Sequence, residues 1–205
     1  MKNLTALLAL LSFTCYAQLA NAQFFKASVN GGFTFSQVDG DYLAGYDKAG
    51  IFGGISIFHE LNDDKRFGFD IQYAQKGSKK RIDPKAFIPA IFIIKSSYVE
   101  FPMWVDYKIQ YLQKLRINTG LSIGVLTKST FDDGFRVAGT GYKKLEVAYL
   151  LGASYELTDN LNFNIRHSFS LTSMGDLYAN GIKFLNRAGI YNRLFYIGLS
   201  YRLKS

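Results

Sequence analysis

The chain has little of several residue types, and each shortage argues against a class of protein. It holds one cysteine, two histidines and three prolines among 205 residues. A single cysteine excludes a disulfide framework, and two isolated histidines do not form a zinc-binding pattern. No apolar run approaches the ~20 residues that a transmembrane helix needs. Few prolines and 19 glycines are typical of strands that are seldom broken.

The N-terminus has the three parts of a secretory signal peptide. Lys2 supplies the positive charge, an apolar stretch follows over residues 4–16, and Ala20-Asn21-Ala22 is a small-residue cleavage site. We therefore expect residues 1–22 to be a signal peptide and residues 23–205 to form one domain. Cys15, the single cysteine, would be lost on cleavage, which excludes thiolate chemistry in the mature chain.

The mature chain alternates apolar and polar residues over short segments. In the clearest one, Val99, Phe101, Met103 and Val105 share one parity, and Glu100, Trp104, Asp106 and Lys108 share the other. Because successive strand side chains point to opposite faces, one face is apolar and the other carries charge. No segment has the pattern of a covering helix. The alternation therefore favours a barrel with lipid outside and a polar interior.

Eight such segments are present, each about as long as a tilted strand that crosses a bilayer. They lie at about 26–36, 49–59, 66–76, 96–109, 115–126, 145–157, 161–171 and 194–203. The connections at 60–65, 110–114 and 158–160 are short, and those at 37–48, 77–95, 127–144 and 172–193 are longer. An even strand count places both termini with the short turns, on the periplasmic side of an outer-membrane barrel.

The predicted fold is all-β: an eight-stranded antiparallel up-and-down transmembrane β-barrel. Only closure satisfies every backbone hydrogen-bonding group in lipid. The alternative fold is an exported soluble β-sandwich or lipocalin-like barrel, in which the apolar parity would point inward.

Charged residues of both signs lie on the inward parity. Eight strands leave an interior just wide enough for side chains to fill, and charges buried there must be paired. We therefore expect a lumen ion-pair network, which argues against a general porin. Its predicted members are Asp70, Glu100, Asp106, Lys108, Arg116, Glu146, Glu156, Arg166 and Arg202.

Four segments resemble PorT-like bacterial outer-membrane β-barrels, with a similar order and spacing. They are FDIQYAQKG at 69–77, YVEFP at 98–102, LGASYEL at 151–157 and NRLFYIGLSYRL at 192–203. The resemblance implies an eight-stranded outer-membrane barrel. It also implies a link to type IX secretion and gliding for the namesake branch, whereas most relatives have no assigned role. One departure is the C-terminus, which ends on Ser205 instead of an aromatic residue.

The histidines are the first candidates for catalysis. His167 and Ser168 look like a base beside a nucleophile, but adjacent strand residues face opposite sides of a sheet. His59 is expected at the periplasmic rim, at the other end of the barrel. We therefore predict no catalytic, cofactor-binding or metal-binding residues.

The second long loop is the candidate site for a partner or for lipopolysaccharide. It joins a basic run to an apolar run, and such a combination can steer an anionic partner and supply buried area. Its candidate residues are Lys79, Lys80, Arg81, Lys85, Phe87, Ile88 and Phe92. The basic run also includes Lys76. The alternative is a solvated loop whose apolar part, residues 86–94, extends the fourth strand.

The function predicted from the sequence is that of a non-enzymatic, monomeric outer-membrane barrel without a cofactor. Its extracellular loops would serve surface or assembly interactions. The expected partners are outer-membrane lipid, lipopolysaccharide and a cell-envelope protein, and not nucleic acid, because export removes the chain from it. The alternatives are an enzyme that modifies lipid A and a small-solute channel.

Overall fold

The computed structural model describes residues 25–40, 45–79, 92–175 and 189–203, and the alternating segments form strands there. The strands are β1 Phe25–Asp39, β2 Lys48–Glu60, β3 Lys65–Lys79, β4 Ile93–Lys108, β5 Leu115–Asp132, β6 Val137–Gly139, β7 Leu145–Glu156, β8 Leu161–Ser170 and β9 Tyr191–Arg202. No helix in these ranges is long and apolar enough to cross a membrane. The predicted signal peptide lies outside the described residues.

Eight of the strands close into a ring. Each pairs antiparallel with its neighbours, and β1 pairs with both β2 and β9. Phe33, for example, lies opposite Ile51 on one side and Ile197 on the other. The short β6 lies outside the ring and pairs only with the end of β5. The predicted eight-stranded antiparallel barrel is therefore confirmed.

The two faces of the barrel differ as the alternation predicts. Large apolar side chains are exposed on the outside, including Phe33, Ile55, Ile71, Ile123 and Leu199. The inside holds most of the buried polar and charged residues. An exposed apolar surface that surrounds a polar interior matches a lipid-facing barrel and not a soluble one.

The connections differ in length between the two ends. At one end, the turns after β2, β4 and β7 are short, and the start of β1 lies beside the end of the chain after β9, since the Leu203 amide donates to the Ala27 carbonyl at 2.8 Å. The Asn62 side chain orders one of these turns by accepting from the amides of Asp64 and Lys65. The short turns mark the periplasmic end, so the longer connections are extracellular.

Several strands extend beyond the predicted bounds at the extracellular end. The β3 strand continues to Lys79, and β5 continues to Asp132, where β6 turns back on it as a hairpin. Lys76 therefore lies inside a strand and not in a basic loop. The apolar run at 86–94 enters β4 only at Ile93 and Ile94, and residues 86–91 lie outside the described ranges.

The strands of the barrel wall approach closely where β1 meets β9. Gly32 lies opposite Gly198, and a Cβ atom built on Gly32 would lie 2.3 Å from the Ile197 carbonyl oxygen. Such a contact is far shorter than van der Waals separation, so the two glycines allow the strands to approach closely.

Candidate functional site

Three charged clusters fill the lumen, and the first lies toward the extracellular end. The Lys76 Nζ atom lies 2.6 Å from the Glu100 Oε1 atom and 2.9 Å from the Glu146 Oε1 atom. All three side chains are at most 2% exposed. We call this group the lysine–glutamate cluster. It joins β3, β4 and β7 across the interior.

Neutral donors complete the coordination of the two carboxylates. Glu100 accepts hydrogen bonds from the Gln72 amide at 2.7 Å and the Tyr196 hydroxyl at 2.6 Å. Glu146 accepts from the Ser170 hydroxyl at 2.5 Å and the Asn192 amide at 2.8 Å. These bonds satisfy oxygens that would otherwise be buried without partners.

An apolar layer lies against the lysine–glutamate cluster. Val38, Tyr98 and Met174 are buried together, and the Lys76 ammonium lies 4.6 Å from the centre of the Tyr98 ring. The Met174 sulfur accepts hydrogen bonds from the Tyr98 hydroxyl and the Asn192 amide. Met174 follows β8, so a residue from an extracellular connection contributes to the interior.

The second cluster, near the middle of the barrel, is built on Asp70. Its carboxylate accepts from the Trp104 indole at 2.6 Å and pairs with Arg166 at 3.1 Å. Trp104 lies opposite Gly68 in the register, and its ring occupies the space that a side chain at Gly68 would take. The glycine therefore allows the indole to lie across the lumen.

The third cluster lies toward the periplasmic end. Asp106 is clamped between Arg66 at 2.5 Å and Arg116 at 2.9 Å, and all three side chains are nearly buried. The three clusters together hold four cations and four carboxylates, so the clusters are formally neutral. Such pairing is required because an uncompensated buried charge costs several kcal/mol.

The predicted lumen residues divide into two groups. Six of them lie in the three clusters: Asp70, Glu100, Asp106, Arg116, Glu146 and Arg166. Arg202 lies at the periplasmic rim, 3.8 Å from Glu60. Lys108 and Glu156 are half-buried at the same end, and neither forms an ion pair with another residue in the described ranges. Lys108, Glu156 and Arg202 thus lie outside the three clusters.

Sequence reasoning missed two buried cations, Arg66 and Lys76. Both share the inward parity of Asp70, so the alternation already contained the signal. Arg66 begins the predicted third segment and Lys76 ends it. Charged residues at segment ends look like rim or loop residues, because only the pairing with β4 shows how far the strand continues.

A small cavity of about 70 Å³, lined by both polar and aromatic side chains, lies in the periplasmic half of the lumen. Its polar wall includes Asn30, Ser56, Asn118, Arg166 and Arg202. The Oδ1 atoms of both asparagines are buried without a hydrogen-bond partner in the protein. A space of this size beside unpaired amide oxygens suits a few water molecules.

His167 and Ser168 face opposite sides of the barrel wall. His167 lies on the outer wall, where its ring is 3.1 Å from the Tyr46 hydroxyl and packs on Phe195. Its sequence neighbour Ser168 is buried on the lumen side. His59 lies near the periplasmic end and packs on Phe25. Within the described ranges, no group of three or more histidine, cysteine or acidic side chains could hold a metal ion.

The candidate partner loop is described only at its two ends. Lys79 ends β3, and Phe92 precedes β4 and stacks on Phe131 with ring centres 6.0 Å apart. The other candidates, Lys80, Arg81, Lys85, Phe87 and Ile88, lie outside the described residues.

A closed ring of eight antiparallel strands, apolar outside and ion-paired inside, defines an integral outer-membrane β-barrel protein. Solved structures that are similar to this fold include two bacterial surface proteins. Ail, the attachment invasion locus protein of Yersinia pestis, is 15% identical with a TM-score of 0.52, over 87% of this chain and 98% of its own. Neisserial surface protein A is 13% identical with a TM-score of 0.51, over 87% of this chain and 97% of its own.

The family is shown by the sequence itself. Residues 16–176 match the family described as outer membrane protein beta-barrel domain, and the chain belongs to that family. A comparison with curated proteins gave no match. The membership establishes the outer membrane as the location.

Proposed function

We propose that this protein is a closed, non-enzymatic barrel that anchors extracellular loops at the cell surface for contact with partners. The lysine–glutamate cluster is the observation that carries the proposal. It lies across the lumen with every charge buried and satisfied, and the apolar layer of Val38, Tyr98 and Met174 packs against it. An ion that crossed the barrel would have to disrupt both layers.

A measurement of ion conductance distinguishes the proposed closed barrel from a small-solute channel. The purified, folded protein should give no open steps in planar lipid bilayers. A Tyr98→Ala/Met174→Ala variant is the comparison, because it removes the two large side chains of the apolar layer. Reproducible open steps from the parent protein would contradict the closed lumen.

The enzymatic alternative needs a nucleophile and a base on one face of the barrel. His167 meets a tyrosine hydroxyl on the outside, while Ser168 faces the lumen. This arrangement favours a packing role for His167. Lipid A from cells that express the parent or the His167→Ala variant should have the same mass spectrum. A modification present only with the parent would overturn the non-enzymatic proposal.

A cell-envelope protein is the proposed partner, bound through the loop between β3 and β4. The basic and apolar runs of this loop support that proposal. Removal of residues 81–89 should abolish co-purification of the partner and leave the barrel heat-modifiable on gels. The matched control removes residues 133–136, at the tip of the β5–β6 hairpin. Full retention of the co-purifying proteins by the first variant would exclude this loop.

The PorT-like resemblance suggests a pathway for that partner, namely type IX secretion. A strain that lacks this protein should then retain type IX cargo inside the cell. The parent gene should restore secretion, and the 81–89 deletion should not. Normal secretion of type IX cargo by the strain that lacks this protein would exclude the pathway, but it would not contradict the anchoring role.

A further inference from the structure

A second basic surface lies at the extracellular end of the described part of the barrel. It is a cleft of about 230 Å³ at the ends of β2 to β5. Its lining residues are Lys48, Gln75, Lys76, Lys95, Ser96, Ser97, Lys128 and Thr130. We call it the rim cleft. Lys76 also belongs to the lysine–glutamate cluster, and Ser96 is buried beside it in the wall, so the cleft adjoins the lumen on its inner side.

The strand register turns the rim cleft toward the lipid. Ser97 lies opposite Gln75 and Lys128, and Lys95 lies opposite Thr130. Ser97 shares the outward parity of Val99, the next apolar residue toward the membrane. Lys95, Ser97, Lys128 and Thr130 therefore form the outer side of the cleft, next to the apolar belt, where lipid head groups are expected.

Polar groups order the lower edge of the rim cleft. The Tyr73 hydroxyl lies 2.9 Å from the Ser97 hydroxyl, and the Gln75 amide donates to the Tyr73 hydroxyl at 3.3 Å. Tyrosine at this level is typical of the interface between lipid and water. The hydroxyl and amide groups can hydrogen-bond to a ligand that the lysines attract.

The cleft has an excess of positive charge. Lys95 and Lys79 both lie close enough to Lys48 to repel its charge, and the Asp132 carboxylate lies 3.9 Å from the Lys95 ammonium. Lys48 begins β2 beyond the apolar belt. Partial burial lowers the pKa of Lys48, and the positive charges of Lys95 and Lys79 lower it further. A bound anion would relieve this repulsion.

We propose that the rim cleft binds a phosphate group of a phosphorylated glycolipid in the outer leaflet. Lys95 and Lys128 reach the phosphate from neighbouring strands, with Lys48 beside them, and Ser97 and Thr130 offer hydroxyl groups to the phosphate or sugar. The position argues for a lipid source, because the cleft opens onto the membrane surface and adjoins the apolar belt. The proposed phosphate contacts use no residue of the lumen clusters and none of the loop at 81–89.

The test uses the full mature protein in a mild detergent, with purified bis-phosphorylated lipid A as the probe. A Lys95→Gln/Lys128→Gln variant removes two positive charges from the cleft. Its control is Lys65→Gln/Lys114→Gln, which makes the same charge change at exposed periplasmic positions. We expect the first variant to bind lipid A about tenfold more weakly than the parent. Each of the two exposed charge contacts should contribute roughly half of the binding free energy that corresponds to this tenfold change. The control should bind like the parent.

Two further probes identify the ligand. Dephosphorylated lipid A should bind to the parent as weakly as intact lipid A binds to the Lys95→Gln/Lys128→Gln variant. Inorganic phosphate should not compete at millimolar concentration, because it lacks the acyl chains that lie against the belt. Equal binding by the parent and the cleft variant would overturn the site. Effective competition by inorganic phosphate would overturn the assignment to a glycolipid.

Discussion

Substitution of Lys76 by methionine should strongly destabilise the barrel. Lys76 is the shared cation of two buried carboxylates, so its removal leaves both without their ion pair. Breaking a buried pair in this way costs about 3–5 kcal/mol. Glu100 and Glu146 each keep two neutral donors, so the expected loss stays within that range instead of doubling.

Urea unfolding from lipid vesicles measures this loss. Trp104 is the single tryptophan and lies in the lumen, so its fluorescence should change when the packing of the lumen is lost on unfolding. With a slope of about 2 kcal/mol per molar urea, a loss of about 4 kcal/mol lowers the midpoint by about 2 M. Lys65→Met, an exposed position on the same strand, is the matched control and should unfold like the parent.

A triple variant separates charge from packing. Lys76→Met/Glu100→Gln/Glu146→Gln keeps the side-chain volumes nearly constant but removes every charge of the cluster. Neutral replacement of a whole buried ion network is often tolerated, so the triple variant should recover most of the stability. The electrostatic reasoning fails if the single variant matches the parent, or if the triple variant is no more stable than the single one.

Three other predictions concern the wall, the third cluster and the outer face. Gly32→Val should prevent folding into a heat-modifiable band, because its Cβ would collide with the facing strand, whereas Gly139→Val, with open space around it, should fold normally. Asp106→Asn should lower the free energy of unfolding by about 3–5 kcal/mol, since it leaves two buried arginines unneutralised, and the urea midpoint measures this. A spin label at Leu199 should be relaxed by oxygen dissolved in the lipid, and a spin label at Ser122 should not. The reverse result would contradict the assignment of the apolar outer face to lipid.

The barrel could be predicted from the sequence because two physical rules suffice for it. Alternation assigns each residue to a face, and the backbone requires a closed ring in lipid. Strand length at the extracellular end could not be predicted this way. The β3 and β5 strands continue past the bilayer because they pair with β4 and β6 there, and only the register shows this.

The lumen partners were predictable as a set but not as pairs. Parity placed Asp70 and Arg166 inside, yet they lie on strands that are not neighbours and meet only because the ring closes with a particular stagger. Met174 had no sequence signal at all, because it enters the interior from a connection and not from a strand. The rim cleft likewise depends on the register, which brings Lys95, Gln75 and Lys128 together from three strands.

The lumen bonds have a consequence for how the chain folds. Several of them join residues far apart in the sequence: Lys76 to Glu146 spans 70 positions, and Glu100 to Tyr196 spans 96. The last strand supplies Asn192 and Tyr196, so Glu100 and Glu146 lack those donors until β9 arrives. A slip of β9 by one residue would turn both donors toward lipid. We therefore expect closure of the barrel to be cooperative and slow, because the lumen bonds form only when the final strand pairs in the correct register.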